Sequence, residues 1–295
     1  MKTENRILTG NDNMTEPIFD AKQSTSNIRQ LFEKYLIKSK LKSVVVGESG
    51  GIDSALTSVL ARPVCQKLSI KLIACSIPIE TNTKAEIERA KNIGTAFADK
   101  FIEKDLTNNY LRLKEGILYD DENAVDYDCR IRMGNIKARI RMIFLYHTAS
   151  LNQGLVMSTD NLTELLLGFW TLHGDVGDYS LFKYLWKHEV YELANFLLAE
   201  ELTNKDEKSA LKACIDAQPM DGLGITNTDL DQLGTATYQE VDMVLKNYLQ
   251  LKDEKKELNE ELLNHPVIQR YIKSQYKREN PYHEARKLIT KAAVF

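Results

Sequence analysis

The sequence predicts an α/β protein built on a parallel sheet. Three observations carry that reading. Short β-branched or apolar runs bounded by Gly or Pro recur along the chain: Ser43-Val-Val-Val-Gly47, Leu72 to Ile77 ahead of Pro78, and Gly154 to Ser158. Stretches with helical spacing separate them, the clearest being Thr83 to Ala98 with Ile87, Ala90, Ile93 and Phe97 on one face. The resulting βαβαβ rhythm implies parallel strands joined by right-handed crossovers.

Taken in order, residues 1–25 are polar and aperiodic, and read as a flexible extension. Residues 26–295 read as a single α/β domain with helical decoration and no interdomain linker. A helix is expected from Ser26 to Ser39, with Ile28, Leu31, Phe32, Tyr35 and Leu36 as its apolar stripe. The first strand ends in a tight turn, Glu48 to Asp53, followed by a helix from Ser54 to Arg62 with Leu56, Val59 and Leu60 inside. After the second strand and the Thr83 helix comes a short third strand, Lys100 to Ile102. A long helix, Met133 to Ser150, precedes the Gly154 strand. Further helices fit Lys187 to Glu201, Asp229 to Lys246 and much of the C-terminal part. Lys205 to Thr228 reads as a mobile loop, and the charge run from Lys252 to Glu261 as a solvated helix face.

Composition bounds the function. A chain of 295 residues with 43% hydrophobic and 27% charged residues can bury a core unaided, which excludes a disordered chain, a coiled coil and a disulfide-framework miniprotein. A net charge of -3 supplies no global attraction to nucleic acid or anionic membrane. Cys65, Cys75, Cys129 and Cys214 are widely spaced, so zinc is not expected and reduced thiols in the cytoplasm are. The N-terminus lacks the apolar run of a signal peptide, and no apolar stretch is long enough to span a bilayer.

The chemistry concentrates in Gly47-Glu48-Ser49-Gly50-Gly51-Ile52-Asp53-Ser54, which lies between a strand and a helix start. Adjacent glycines let backbone N–H groups approach an anion, and the helix adds unpaired donors and its positive dipole end. Ser49 and Ser54 offer hydroxyls. Asp53 would repel a bare phosphate but suits Mg²⁺ that bridges phosphates; an ordinary strand-to-helix turn is the competing reading. No lysine follows the glycines as in a P-loop, and the spacing is not GxGxxG.

SGGIDS resembles the SGGxDS loop of the ATP pyrophosphatases, which cleave ATP between the α and β phosphates. The resemblance implies a doubly wound sheet of the adenine-nucleotide alpha hydrolase type with helices on both faces. Three further segments select within that superfamily: Gly134-Asn-Ile-Lys-Ala-Arg-Ile-Arg-Met142, Ser158-Thr-Asp-Asn-Leu-Thr-Glu-Leu-Leu-Leu-Gly168 and Thr171-Leu-His-Gly-Asp-Val-Gly-Asp178. Together with the loop they resemble ammonia-dependent NAD synthetase over about residues 26 to 285. Physical reading agrees in part. Arg139 and Arg141 cannot both face a core, so at least one meets an anion or a surface partner. Thr159 follows a strand at the carboxyl edge where open α/β sheets bind ligands. Glu164 beside Leu165 to Leu167 needs a partner; a metal is one, an ordinary helix N-terminus another.

The resemblance implies a role for each matched residue. Gly47 to Ser54, Thr159 and Lys187 contact ATP, and Asp53 and Glu164 hold Mg²⁺. Arg139, Lys277 and Asp178 contact deamido-NAD; Asp178 matches when one residue is missing after Gly174, which also places Lys187. Asp53, Glu164 and Lys187 together serve catalysis. The chain departs from the family pattern at Glu48, where an apolar or small residue is expected, and at Leu172, Met220 and Tyr276, which replace a lysine, a threonine and a histidine; His173 is the nearest substitute for the lysine.

The implied reaction activates a carboxylate with ATP, releases pyrophosphate and passes the acyl-adenylate to ammonia, leaving AMP. The sequence carries no glutaminase-like stretch and its first cysteine is Cys65, so ammonia is expected to arrive free or from a separate supplier. Segments near Pro78 to Ala85 and Lys205 to Thr228 are expected lids. A homodimer is implied, with neither nucleic acid nor membrane as partner. Amidation of nicotinate mononucleotide is the close alternative. A tRNA-modifying enzyme needs a basic surface that net -3 does not provide, and a non-catalytic scaffold needs none of Asp53, Glu164 and Lys187.

Overall fold

The computed structural model describes residues 18–117, 127–219, 230 and 233–278. Five parallel strands form the sheet in the order β3-β2-β1-β4-β5: β1 Ser43–Gly47, β2 Lys71–Ser76, β3 Lys100–Glu103, β4 Gly154–Ser158 and β5 Tyr179–Ser180. The direction of winding reverses between β1 and β4, which opens a crevice beyond their carboxyl ends.

The period of two along β1 sorts the two faces of the sheet. Val44 and Val46 join the larger apolar cluster, and Val45 the smaller one behind. On the larger side pack α1 (Ala21–Ser39), α2 (Ile52–Leu68), α3 (Lys84–Phe97), α7 (Lys187–Phe196) and α8 (Lys205–Ile215). Behind lie α4 (Thr107–Ile117) and α5 (Tyr127–Leu151). A third cluster joins α6 (Leu162–Leu167) to α9 (Tyr238–Asp253) and α11 (Pro266–Lys273), with α10 (Glu260–Asn264) and α12 (Gln275–Arg278) beside them. No helix among the described residues is long and apolar enough to cross a membrane.

β1 to β4 lie within a residue of their expected positions, β5 was not expected, and several helices differ. α1 begins at Ala21, capped by Asp20 through the Gln23 N–H at 2.6 Å, five residues ahead of expectation. Of its expected stripe only Phe32 and Leu36 are fully buried; Leu31 is exposed. α2 runs past Arg62 to Leu68 with Pro63 inside. Pro63 faces solvent while Val64 and Cys65 are buried, so core packing outweighs the ~3 kcal/mol cost of an interior proline. Much of the loop expected after Lys205 is the helix α8. Asn204 accepts the Asp206 and Glu207 N–H groups at 2.8 and 3.2 Å, and Ala210, Leu211 and Cys214 bury against the sheet helices. α9 starts at Tyr238 behind the Thr237 cap and runs to Asp253. The charged stretch beyond it is non-helical from Glu254 to Asn259 and exposed over most of its length. Met220 and Asp229 lie outside the described residues, as do residues 1–17.

Leu211 has no exposed surface. Leu211→Ala is expected to lower stability by about 2–5 kcal/mol in urea unfolding. A change within about 0.5 kcal/mol, as at a surface loop, would show that α8 is not part of the core.

Candidate active site

The crevice at the β1–β4 reversal is a cavity of about 400 Å³. Its lining includes the loop residues Gly47, Glu48, Ser49, Gly51, Ile52, Asp53 and Ser54, with Thr159, Glu164, Lys187 and Lys277. The loop is shaped by its sequence. Gly50 has φ +79°, and a Cβ there would stand 2.4 Å from the Glu86 carbonyl oxygen, so only glycine lets the loop lie so close to α3. Ser54 Oγ accepts the Ser49 N–H at 3.2 Å and lies 3.1 Å from Ser49 Oγ. It also lies 3.2 Å from the Gly51 carbonyl. No side chain caps α2 at Gly51, so the first N–H groups of that helix face the cavity side uncovered.

Three helix starts then meet. Asp53 stands in the first turn of α2, Glu164 in that of α6 and Lys187 opens α7. Lys187 Nζ donates to Asp53 Oδ2 at 2.5 Å and to Glu164 Oε1 at 2.9 Å. Asn161 caps α6 through the Glu164 N–H at 3.0 Å and donates its amide to Asp53 Oδ1 at 2.9 Å. Burial, and next the charge of Asp53, push the Glu164 carboxyl up to about 8, with Lys187 opposing both. Burial works to lower Lys187, but the two carboxylates outweigh it and hold the lysine well above its ordinary value. Two hard oxygen donors converge on one cation here, and they suit a divalent ion whose other ligands come from phosphate. No cluster of three or more acidic, His or Cys ligands exists among the described residues.

In the lining of the same cavity, Asp160 accepts from Ser158 Oγ at 2.7 Å; burial and then Asp175 raise it to about 7. Asp175 is open to solvent along the cavity, yet the surrounding protein still raises its carboxyl. Of the two paired arginines, Arg141 lines the cavity and holds the Ile77 carbonyl at 3.1 Å and Asn82 at 2.8 Å. Arg139 points outward and donates to the Leu172 carbonyl at 3.1 Å. Asp178 is also outside the cavity lining; it accepts the Val156 N–H and the Tyr146 hydroxyl, both at 2.9 Å, and so fastens β4 to the start of β5 and to α5. Lys277 donates to the Gly168 carbonyl at 2.7 Å and to that of Trp170, and burial brings its pKa down to about 8. The Pro78 segment is clasped to α5 by Lys137, which meets Glu80 at 3.0 Å and Thr81 at 3.1 Å.

Two residues of the site escape motif reading. Asn161 is the first letter of an N-x-x-E capping box, a pattern visible in Asn161 to Glu164. Asp242 is an acid on the apolar face of α9, and it is 1% exposed. It accepts from Thr163 Oγ1 at 2.5 Å, from the His188 N–H at 3.0 Å and from His188 Nδ1 at 2.8 Å. Thr163 Oγ1 in turn accepts the Lys187 N–H at 2.9 Å. One carboxylate thus ties the neighbours of both Glu164 and Lys187.

The hydrogen bond to Asp242 raises His188 above its ordinary value, against burial. A raised histidine adds stability that is complete below its unfolded pKa of about 6.5 and is lost as pH climbs through the folded value. The urea-unfolding gap between wild type and His188→Gln should therefore be widest near about pH 6 and narrow at alkaline pH. An equal gap at both would show that the pair carries no proton-linked stability.

The NAD synthase family model matches residues 24–281. The NH(3)-dependent NAD(+) synthetase of Thermoplasma volcanium is 30% identical over 89% of this chain and 97% of its own. Among solved structures, an NMN synthetase from Francisella tularensis superposes with TM-score 0.71 at 24% identity, covering 90% of this chain and 99% of that one. The NH3-dependent NAD synthetase from Campylobacter jejuni does so with TM-score 0.66, also at 24% identity, over 90% and 100%. At that identity the two structures speak for the fold. Family model and sequence relatives together place this chain in the NAD synthase family.

Proposed function

We propose that this protein amidates deamido-NAD to NAD, using ATP and ammonia and releasing AMP and pyrophosphate. Among the observations in its favour, the meeting of Asp53, Glu164 and Lys187 beside an uncapped helix start carries the reading, because it sets cationic and N–H donors where a polyphosphate would lose pyrophosphate. Membership of a ligase family that forms C–N bonds supports it.

The residues divide the work by position. Loop N–H groups and the α2 terminus bind phosphate oxygens, and Gly50 lets the backbone come close. The substrate carboxylate attacks the α-phosphorus and pyrophosphate leaves; Lys187 carries positive charge to meet the charge that develops there. Mg²⁺, held by Asp53 and Glu164, would neutralise the departing pyrophosphate. Thr159 contacts ATP from the end of β4, and Lys277 faces the substrate from α12. Ammonia then attacks the acyl carbon and AMP leaves. No side-chain nucleophile takes part.

A homodimer is part of this proposal. Arg139, Ile143, His147 and Leu151 recur every fourth residue on α5 and are all exposed, with Ile143 at 63% and Leu151 at 74%. A second copy on this stripe would bring Arg139 to a substrate at the interface, which fits its outward direction. Cys65, Cys75, Cys129 and Cys214 form no disulfide among the described residues, which fits a reducing compartment, the cytoplasm.

Nicotinate mononucleotide is the alternative acceptor, favoured by Leu172 and Tyr276 where the family carries lysine and histidine. Protein incubated with Mg²⁺, ATP and ammonium should release AMP with deamido-NAD and much less with nicotinate mononucleotide. The reverse preference would reassign the substrate, and ADP with orthophosphate would overturn the reaction. Lys187→Met should lower the AMP-forming kcat by about 10²–10³; near-normal turnover would remove Lys187 from the mechanism.

A further inference from the structure

Glu48 is the loop residue that phosphate binding does not account for, since it is an acid at the floor of a polyphosphate site. Its side chain turns beneath the loop toward α2 and is 3% exposed as a residue. Oε1 pairs with the Ser58 hydroxyl, and Oε2 is buried with no hydrogen-bond partner. The groups facing it carry no charge that could balance its own. On β2 and α8 stand the thiols of Cys75 and Cys214, each pushed up to about 12 by burial. On α2 stand Ser54 and Ser58. Arg89 on α3 is committed to the Gly50 carbonyl at 2.8 Å. A carboxylate with one open oxygen and no cation is unfavourable in such surroundings, and the group takes up a proton instead. Burial accordingly raises Glu48 to about 7, against the Ser58 and Ser54 hydroxyls.

The loop above depends on one of those hydroxyls. Ser54 Oγ meets the Ser49 N–H, Ser49 Oγ and the Gly51 carbonyl, each at 3.1 to 3.2 Å. Ser49 Oγ then takes the Gly51 N–H at 3.2 Å. Whatever stands under Ser54 therefore bears on the whole turn.

We propose that Glu48 is a positioning residue of the nucleotide loop, acting as an uncharged acid that braces Ser58 and Ser54 from below and keeps negative charge away from the bound polyphosphate. An ionised Glu48 would repel the phosphates and pull the Ser54 hydroxyl toward itself and away from the loop. The proposal rests on the ATP-dependent reading above.

The test is calorimetric binding of the α,β-methylene analogue of ATP at saturating Mg²⁺, with AMP release measured separately. Glu48→Gln keeps the shape and hydrogen bonding without the charge, and Glu48→Leu keeps only the volume. Gln should match wild type near about pH 6, and wild type should bind several-fold more weakly than Gln once pH passes about 7. Leu should bind about tenfold more weakly than Gln at every pH, the loss of a hydrogen bond's worth of positioning. A Gln variant that follows wild type across the pH range overturns the proposal, and so does a Leu variant that binds like Gln. Should the Gln variant fail to fold, the gap between wild type and Leu must shrink as pH rises, and a constant gap overturns the proposal. Failure to form AMP with either pyridine substrate would defeat the amidation reading while leaving the analogue comparison valid.

Discussion

The Lys187 ammonium between Asp53 and Glu164 is the constraint on which the rest of the site depends. A lysine at a helix start opposes the helix dipole, and this one is 3% exposed as a residue. The two carboxylates, with the Tyr238 ring 5.2 Å away, make its charge tolerable there, and each acid sits in the first turn of its own helix, where the dipole favours it. Truncating Lys187 leaves two facing acids without their counter-charge in a recess, which is why that change is expected to be far less tolerated than loss of an exposed ion pair.

The sheet supplies the meeting place. β1 ends in the loop and α2; β4, its neighbour, ends in Ser158, Thr159 and the cap of α6. Because the winding reverses between these two strands, no crossover helix covers the gap, and both loops open into the same space. Asp178 holds β4 against the chain entering β5 through a side chain to backbone bond, so its carboxylate serves architecture at the edge of the cavity.

Much of this was legible in the sequence. Apolar runs bounded by glycine or proline located β1, β2 and β4, because a buried parallel strand needs apolar residues on both faces, whereas the two-residue β5 carries no such run. SGGIDS located the loop, since few other residues fit its turn. Helix ends were harder: α2 continues through Pro63 because Val64 and Cys65 are buried beyond it, a gain that only the tertiary structure provides. α8 was hidden because Lys205 to Lys208 reads as a polar loop until Ala210, Leu211 and Cys214 find their partners. The outward direction of Arg139 and the inward one of Arg141 could not be separated by spacing alone, as both lie two residues apart on one long helix whose apolar residues surround it. Asp242 lies 54 residues from the backbone N–H it anchors, beyond the reach of any local pattern.

That distant anchor gives the C-terminal helices a say in the chemistry. α9 contributes to the third apolar cluster and offers no side chain to the cavity lining, yet its one buried acid fixes the rotational setting of the helices that present Glu164 and Lys187. The spacing between an acid and a base at the reacting centre is thus written into how a separate helical layer is packed. Loosening of that layer, by heat or by a cavity opened among its leucines and tyrosines, would silence the enzyme while the sheet and its loop stood intact.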